Sequence, residues 1–192
     1  RMTEHFSNLV TASTDRFVRP GGLVVEIGSN DGSALRALLG RNLRILGVDP
    51  SRNLAAIAAD RGVPTLDEFF TSALAERIVA EHGRADLIVG FNVLGHIDDL
   101  DDVCRGIDTL MKSDGAFVFE VPYLAEMLDR LEWDTIYHEH LSYFAITPLH
   151  RLFSRFGFVI REVESVPVHG GSLRCTVARG GATAPAVNAM IA

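Results

Sequence analysis

The chain has 192 residues, of which 47% are hydrophobic and 22% are charged, and its formal net charge is −7. This length suits one α/β domain with a substantial core, and the negative charge argues against broad electrostatic binding to nucleic acid. The sequence has no apolar run long enough to span a membrane and no signal-peptide core near its start, so we expect a cytoplasmic protein.

The first predicted element is a lead-in helix over residues 2–18, where apolar residues recur at helical spacing. A Pro-Gly-Gly sequence at residues 20–22 ends it. The expected inner face consists of Phe6, Leu9, Val10 and Phe17. We therefore divide the chain into three parts: 1–20 as the lead-in helix, 21–180 as the main domain, and 181–192 as a linker or the start of a further lobe.

A Gly-rich turn follows the first predicted strand. The apolar run at residues 23–25 leads through Glu26 and Ile27 into Gly-Ser-Asn-Asp-Gly at 28–32, and a periodic stretch occupies 34–39. This pattern predicts a buried strand, a tight turn and a helix whose exposed N–H groups face outward. The glycines tolerate positive φ and allow a ligand close to the backbone. A cofactor cradle is the leading hypothesis, and a βα turn without a ligand is the alternative.

A second apolar strand, within residues 43–50, ends at Asp49, twenty-one residues after Gly28. In dinucleotide-binding folds an acid about 20 residues past the Gly-rich turn binds the ribose hydroxyls. Asp49 is therefore a candidate for a ribose ligand. The alternative is that Asp49 only caps the helix that follows Ser51.

Helices and strands continue to alternate along the chain, which predicts parallel strands joined by right-handed crossovers. Further helices are predicted at residues 54–61, 100–111 and 123–131, and further strands at 62–66, 85–91 and 116–121. The acidic run at 98–102 fits the solvated first turn of a helix. Strand patterns at 158–168 and 172–178 flank a Gly-Gly turn and predict an antiparallel hairpin.

Polar side chains beyond the strand at residues 85–91 are site candidates by position, because ligands bind at the carboxyl edge of open α/β sheets. Asn92 and His96 are the hydrogen-bonding side chains of this otherwise apolar loop. The alternative is that they cap the helix that begins near Asp98.

Tyr137, His138, Glu139 and His140 form an unusual polar cluster between apolar flanks. Such a cluster supplies a proton acceptor near neutral pH, a carboxylate to orient it and a phenol to donate. If the segment is extended, Tyr137 with Glu139 and His138 with His140 lie on opposite faces. The alternatives are an exposed polar loop and a divalent metal site completed by His96 or His169.

Cys104 and Cys175 are the only cysteines, one in a helical pattern and one in a strand pattern. Two cysteines cannot form a disulfide framework or a cysteine zinc site. We expect both to be core thiols and predict no metal site.

The turn sequence Glu-x-Gly-x-Asn-x-Gly at residues 26–32 resembles motif I of class I S-adenosylmethionine (SAM) methyltransferases, with Asn30 in place of the middle glycine. The resemblance implies SAM as cofactor and an α/β, Rossmann-like fold whose mostly parallel seven-stranded sheet ends in an antiparallel hairpin. It also implies that Asp67 or Glu68 accepts from the adenine amine, although a surface acid and a core aromatic explain this stretch equally well. The implied cofactor-binding residues are Glu26, Gly28, Ser29, Asn30, Gly32, Asp49, Asp67, Phe69 and Asn92.

Four motifs together resemble the SAM-dependent sugar C-methyltransferases of deoxysugar biosynthesis: EIGSNDG at residues 26–32, NVLGH at 92–96, YHEH at 137–140 and VHGGS at 168–172. This resemblance implies a small-molecule substrate, a nucleotide-linked 4-keto sugar methylated at C3. Members of that family are longer, with a zinc lobe before this region and a nucleotide-sugar lobe after it, so we expect additional lobes in a longer parent chain.

Motif matches place the active-site positions of this family on Asn92, His96, Tyr137, Glu139 and His140. We assign His140 as the base, Glu139 as its orienter, and Tyr137, His96 or Asn92 as partners of the enolate or a hydroxyl. His169 and Arg174 at the hairpin are expected to help receive the substrate. Two other functions stay open: a non-catalytic SAM- or nucleotide-binding module, and a small-molecule O- or N-methyltransferase that uses His140 as base.

Overall fold

One mixed sheet of seven strands organises the molecule. The computed structural model describes residues 2–168 and 170–191. The strands are β1 (Leu23–Ile27), β2 (Arg44–Val48), β3 (Thr65–Leu66), β4 (Ala85–Phe91), β5 (Met111–Pro122), β6 (Phe158–Val166) and β7 (Ser172–Arg179). They lie in the order β3-β2-β1-β4-β5-β7-β6, and β7 runs antiparallel to both of its neighbours. The parallel sheet with a closing antiparallel hairpin is therefore confirmed.

Helices cover both faces of this sheet. They are α1 (Met2–Phe17), α2 (Arg52–Asp60), α3 (Ser72–His82), α4 (Leu100–Leu110), α5 (Leu124–Asp129), α6 (Ile146–Arg155) and α7 (Pro185–Ile191). Short 3₁₀ helices occupy Leu35–Leu38, Leu94–His96 and Trp133–Thr135. None of the helices in the described ranges is both long enough and apolar enough to cross a membrane.

Side-chain alternation along the strands builds two cores. Leu23, Val25 and Ile27 of β1 point towards one cluster, which includes Ile78 of α3. Val24 points to the opposite cluster, which includes Val10 of α1. Because β1 is buried on both faces, its residues are apolar on both faces except at Glu26.

Three predicted elements differ from the structure. Residues 34–39 form only a four-residue 3₁₀ helix, since Gly40, with φ +78°, ends the segment before an α-helix can propagate. The strand predicted at 116–121 is longer, because β5 begins at Met111, and its register with β4 shifts between Ala85 and Leu87. The third strand has two residues rather than the five at 62–66.

Helices α3 and α6 have no counterpart in the sequence predictions, although both carry helical signals. The Thr71 side chain accepts from the N–H of Leu74 and caps α3. The side chains that α6 buries are Ile146, Leu149 and Phe153. Residues 185–191, assigned to a linker or the start of a further lobe, form α7, whose Val187 is fully buried.

Both cysteines lie in the core as expected. Cys104 is buried in α4 and Cys175 in β7, and each is a free thiol. Burial raises the pKa of both thiols to about 12. They are therefore protonated at neutral pH.

Candidate active site

The Gly-rich turn after β1 is held by its own hydrogen bonds. The N–H groups of Gly28 and Ser29 donate to the carbonyl of Val48, at 2.8 and 3.2 Å. The N–H of Asn30 donates to Asp49 Oδ2 at 2.9 Å, and the N–H of Gly32 donates to Ser29 O. These four N–H groups of the turn are therefore bonded within the protein, because the turn folds back onto β2 and Asp49.

Left-handed backbone explains the glycines of this turn. Gly28 has φ +71° and Gly32 has φ +73°. A Cβ on Gly28 would lie 2.6 Å from a methyl group of Val93, and a Cβ on Gly32 would lie 3.0 Å from Val63. Asn30, which replaces the middle glycine, has φ +53°, a region that asparagine tolerates.

Glu26 of β1 is a buried carboxyl with one unused oxygen. Its side chain is 3% exposed, and Oε2 has no hydrogen-bond partner among the described residues. Burial raises the pKa of Glu26 well above its usual value, while the N–H of Leu35 donates to the carboxyl and opposes this shift. Such a group favours a cationic neighbour. The hydroxyl of Ser29, by contrast, lies against Gly47 of β2.

Two cavities meet at Gly28, one on either side of the turn. The first, of about 340 Å³, is lined by Ile27, Gly28, Val48, Pro50, Phe69, Phe70, Thr71, Val93, His96, Ile97, Asp98, Asp99 and Asp102. The second, of about 320 Å³, is lined by Met2, Thr3, Phe6, Glu26, Gly28, Ser29, Asn30, Asp31, Ser33, Ala34 and Phe91. The sequence did not indicate that α1 would line the second cavity. The apolar pattern of this helix predicted only which of its side chains pack against the core.

Asp49 joins the β1 turn to the start of α2. Its carboxylate accepts from the N–H groups of Asn30 and Ser51, both at 2.9 Å, and Asp49 is 7% exposed. Its neighbours Val48 and Pro50 line the first cavity. A carboxylate has about four lone-pair sites, so Asp49 can cap the backbone and still accept from a ligand.

Of the residues that follow β3, Asp67 and Glu68 lie near arginines at the surface, whereas Phe69 lines the first cavity. Asp67 lies 3.6 Å from Arg52, and Glu68 forms an ion pair with Arg77. Phe69, 76% exposed, lines the first cavity beside the buried Phe70. An adenine-binding role for Phe69 stays a prediction, while the two acids have arginine partners.

Asn92 lies just beyond β4, in the left-handed region of the backbone. Its φ is +53°, and its N–H donates to the carbonyl of Glu120 at 2.9 Å. Its side-chain Oδ1 is buried and lacks a partner within the described ranges. Asn92 and His140 line a third cavity of about 20 Å³. Helix α4 is capped by Asp99, whose side chain accepts from the N–H of Asp102, so the alternative of capping by Asn92 or His96 is wrong.

The segment with Tyr137 and His140 is a turn, not a strand. The N–H of His140 donates to Tyr137 O at 3.0 Å, which brings the two side chains together. Tyr137 Oη lies 3.0 Å from His140 Nε2, and the ring centroids are 4.1 Å apart. The face assignment made for an extended segment is therefore wrong. His138 and Glu139 are exposed.

The backbone, rather than a carboxylate, orients His140. His140 Nδ1 lies 2.8 Å from the carbonyl oxygen of Thr135, which can only accept, so Nδ1 carries the hydrogen. Nε2 then has the lone pair and accepts from the Tyr137 hydroxyl. The prediction that Glu139 orients His140 is wrong, because the turn points the Glu139 side chain to solvent and its carbonyl towards His96 Nδ1, at 2.9 Å.

Arg174 belongs to a buried ionic network. Its Nε donates to Glu120 Oε1 at 2.7 Å, and its terminal nitrogen lies 3.0 Å from Glu164. Glu120 is fully buried, and His5 Nε2 lies 2.8 Å from its other oxygen. Arg174 thus binds two carboxylates of its own chain. His169, the other expected hairpin contact, lies outside the described residues.

Residues 2–168 and 170–191 contain no group of three His, Cys, Asp or Glu side chains that could hold a metal ion. In this part of the chain, His140 instead provides an imidazole lone pair beside the Asn92 amide in one small cavity, and the Tyr137 phenol contacts that lone pair. This set can accept a proton and donate hydrogen bonds.

Comparison with known proteins identifies similar sequences. A family model described as "Methyltransferase domain" matches residues 2–163. The C-methyltransferase NovU of Streptomyces niveus is 42% identical over 98% of this chain. The match covers 46% of NovU, so the chain spans less than half the length of this relative.

Solved structures share the fold at low sequence identity. A magnesium protoporphyrin IX methyltransferase from Synechocystis PCC 6803, solved with bound S-adenosylhomocysteine (SAH), has a TM-score of 0.71 at 14% identity, with 93% of this chain and 84% of that chain covered. A SAM-dependent methyltransferase from Clostridium acetobutylicum has a TM-score of 0.71 at 12% identity, with 93% and 92% covered. The class I methyltransferase fold is thereby confirmed.

Proposed function

This chain belongs to the methyltransferase domain family, and from that premise we propose that it methylates a carbon next to the ketone of a nucleotide-linked 4-keto sugar. Two observations support the proposal: the identity with a C-methyltransferase and the pairing of Tyr137 with His140 beside Asn92. Because the chain spans less than half of that relative, recognition of the nucleotide by further lobes is part of the proposal.

The cofactor is SAM, and the residues at the carboxyl edge of β1 and β2 fit it. Gly28 lines both cavities, and its lack of a side chain lets the turn pack against Val93. The unpartnered oxygen of Glu26 suits the ammonium group of the cofactor, and Asp49 suits its ribose hydroxyls. When bound, SAM supplies a methyl carbon that is electrophilic because it is attached to a sulfonium sulfur.

The first task of the protein is to remove a proton from carbon. A carbon beside a ketone becomes nucleophilic only after it loses a proton. Nε2 of His140 has the lone pair for this step, because the Thr135 carbonyl fixes the hydrogen on Nδ1. The C–H bond breaks, its proton goes to Nε2, and its electron pair enters the enolate.

The second task is to stabilise the enolate oxygen. The Tyr137 hydroxyl donates to Nε2 in the structure, and in our proposal it turns to the ketone oxygen as the acceptor binds. That single rotation frees the base and supplies a donor for the developing charge. The Asn92 amide, whose buried oxygen lacks a partner among the described residues, offers a further hydrogen-bonding group beside His140.

The test compares His140→Asn with His138→Asn on a nucleotide-linked 4-keto sugar. Asparagine keeps a donor in place of Nδ1 but has no base in place of Nε2. We expect His140→Asn to slow methylation by a factor on the order of 10² to 10⁴. His138 is an exposed neighbour, so its replacement is expected to leave turnover unchanged.

Two further measurements separate the steps. Exchange of the C3 hydrogen of the sugar for solvent deuterium, with SAH bound, reports proton removal alone and should be lost in His140→Asn. Calorimetric titration with SAH should give the same affinity in all three proteins. A protein that carries this chain together with the further lobes, binds SAH and neither exchanges nor methylates the 4-keto sugar would contradict the proposed acceptor.

A further inference from the structure

The loop after β4 borders two cavities at once. His96 and Ile97 line the first cavity together with Phe69. We take this cavity to be the site for the nucleoside part of SAM because the neighbours of Asp49, the proposed ribose ligand, line it. Gly95 and Asn92 line the third cavity together with His140. One short loop therefore contacts both the expected donor site and the expected base.

This loop also holds the turn that carries His140. The carbonyl of Gly95 accepts from the N–H groups of Leu141 and Ser142, at 2.8 and 3.2 Å. His96 Nδ1 lies 2.9 Å from the carbonyl oxygen of Glu139. These three contacts hold the residues immediately before and after His140 in the chain. We call the three contacts the 95–96 clasp.

The clasp is closely packed. The ring centroids of His96 and His140 are 4.8 Å apart. A Cβ on Gly95 would lie 3.3 Å from the carbonyl oxygen of Ser142 and 4.0 Å from His140 Cδ2. A displacement of the loop therefore moves the His140 turn as well, because there is little free space between them.

We propose that His96 is a positioning residue that couples occupancy of the first cavity to the placement of His140. The inference rests on the proposed function in one respect, that the first cavity takes the nucleoside of SAM. A ligand there contacts the His96 ring, and Nδ1 transmits the change to the Glu139 carbonyl and so to the His140 turn. Binding of the donor thereby prepares the base.

The position of His96 favours this role over direct proton transfer at the acceptor, because His96 lines the first cavity and not the cavity that Asn92 and His140 share. A carbonyl oxygen accepts from Nδ1, which fixes the hydrogen there and leaves the ring held against the turn. Coupling of this kind requires only that the ligand bind better when the clasp is formed.

The experiment follows the His140 imidazole by NMR in protein with labelled histidine. The resonance is assigned by its loss in His140→Asn, and each protein is titrated with SAH. In the wild type we expect SAH to shift the His140 signal. In His96→Phe, which keeps a ring but has no donor for the Glu139 carbonyl, we expect SAH to bind and the shift to be lost. His96→Asn, whose amide nitrogen replaces Nδ1, should restore the shift.

The outcomes separate this inference from the proposed function. If folded wild-type protein gives no heat on calorimetric titration with SAH, both the proposed cofactor site and the coupling are contradicted. Binding of SAH without a shift at His140 overturns the coupling alone. An equal shift in His96→Phe and wild type also overturns it, because the donor to Glu139 would then be unnecessary. Thermal unfolding of each variant confirms that folded proteins are compared.

Discussion

The donor side and the acceptor side of this molecule are built in different ways. The donor side is the carboxyl edge of buried strands, where backbone hydrogen bonds fix the Gly-rich turn between cavities of about 340 and 320 Å³. The acceptor side depends on residues 131–142, which lack long secondary structure, and Thr135, His140 and Ser142 of this segment line a cavity of about 20 Å³. There Leu131 is 64% exposed and Trp133 is 62% exposed.

The difference teaches that the two halves of the site depend on different interactions. The sheet positions the donor residues through packing that the whole fold shares. The acceptor residues depend on a few local contacts, chiefly the Thr135 carbonyl and the 95–96 clasp. Changes on the donor side should therefore affect stability and cofactor binding together, whereas changes on the acceptor side should affect turnover with little effect on stability.

The largest effect is expected from Gly28→Ala on the donor side. An alanine in the left-handed region costs about 1–2 kcal/mol, and overpacking against Val93 adds about 1–3 kcal/mol. We expect the free energy of unfolding to fall by about 2–5 kcal/mol in urea titration, and SAH affinity to fall with it.

Gly40→Ala is the matched control for this change. Gly40 has φ +78°, but a Cβ there would have no neighbour within 4 Å. Gly40→Ala should therefore lower the free energy of unfolding only through backbone strain, by about 1–2 kcal/mol. If the two substitutions lower the free energy of unfolding equally, contact with Val93 does not explain why residue 28 is a glycine. Val93→Ala should partly rescue Gly28→Ala.

On the acceptor side, Tyr137→Phe should lower turnover by a factor on the order of 10². The phenylalanine keeps the ring packing on His140 but removes the hydroxyl that is to meet the enolate. The unfolding free energy should change by less than about 0.5 kcal/mol, since the side chain is exposed. Comparable losses of turnover and stability would remove the proposed contrast between the two sides.

Glu26→Gln tests the donor side through pH. The pKa of Glu26 is raised by burial, so the folded state keeps its proton to higher pH than the unfolded chain. Burial of Glu26 therefore destabilises the fold increasingly as pH rises from the usual carboxyl range to the raised pKa. Glutamine cannot ionise, so the variant should unfold at a higher temperature than wild type at about pH 8 and at a similar one at about pH 4.

The same variant should bind SAH more weakly, because glutamine removes the negative charge that favours the ammonium group. A calorimetric titration at neutral pH measures this loss. If Glu26→Gln binds SAH as tightly as wild type does, the assignment of Glu26 to the donor site is wrong.

The smallest effect is expected for Leu131→Asp. Leu131 is largely exposed, so its replacement should change the free energy of unfolding by less than about 0.5 kcal/mol. Leu35→Asp, at a fully buried position of the donor side, is the matched contrast and should prevent stable folding. Similar urea midpoints for the two variants would remove the distinction between the regions.

The sequence by itself determined the sheet and the position of its functional edge. Runs of mostly apolar residues marked β1, β2 and β4, because strands buried on both faces favour apolar side chains on both. The glycines at 28 and 32 marked the turn, since their φ values exclude ordinary side chains. The polar cluster at 137–140 was also visible, because such residues are rare between apolar flanks.

Only the tertiary structure decided how those residues contact each other. Carbonyl groups have no sequence signal, so nothing in the chain indicated that Thr135 would hold His140 or that Glu139 would serve through its backbone. Likewise, the wall that α1 forms beside Glu26 depends on how a helix docks on a distant strand. Local patterns specify elements and residue types, whereas contacts between residues far apart in the chain exist only once the core has packed.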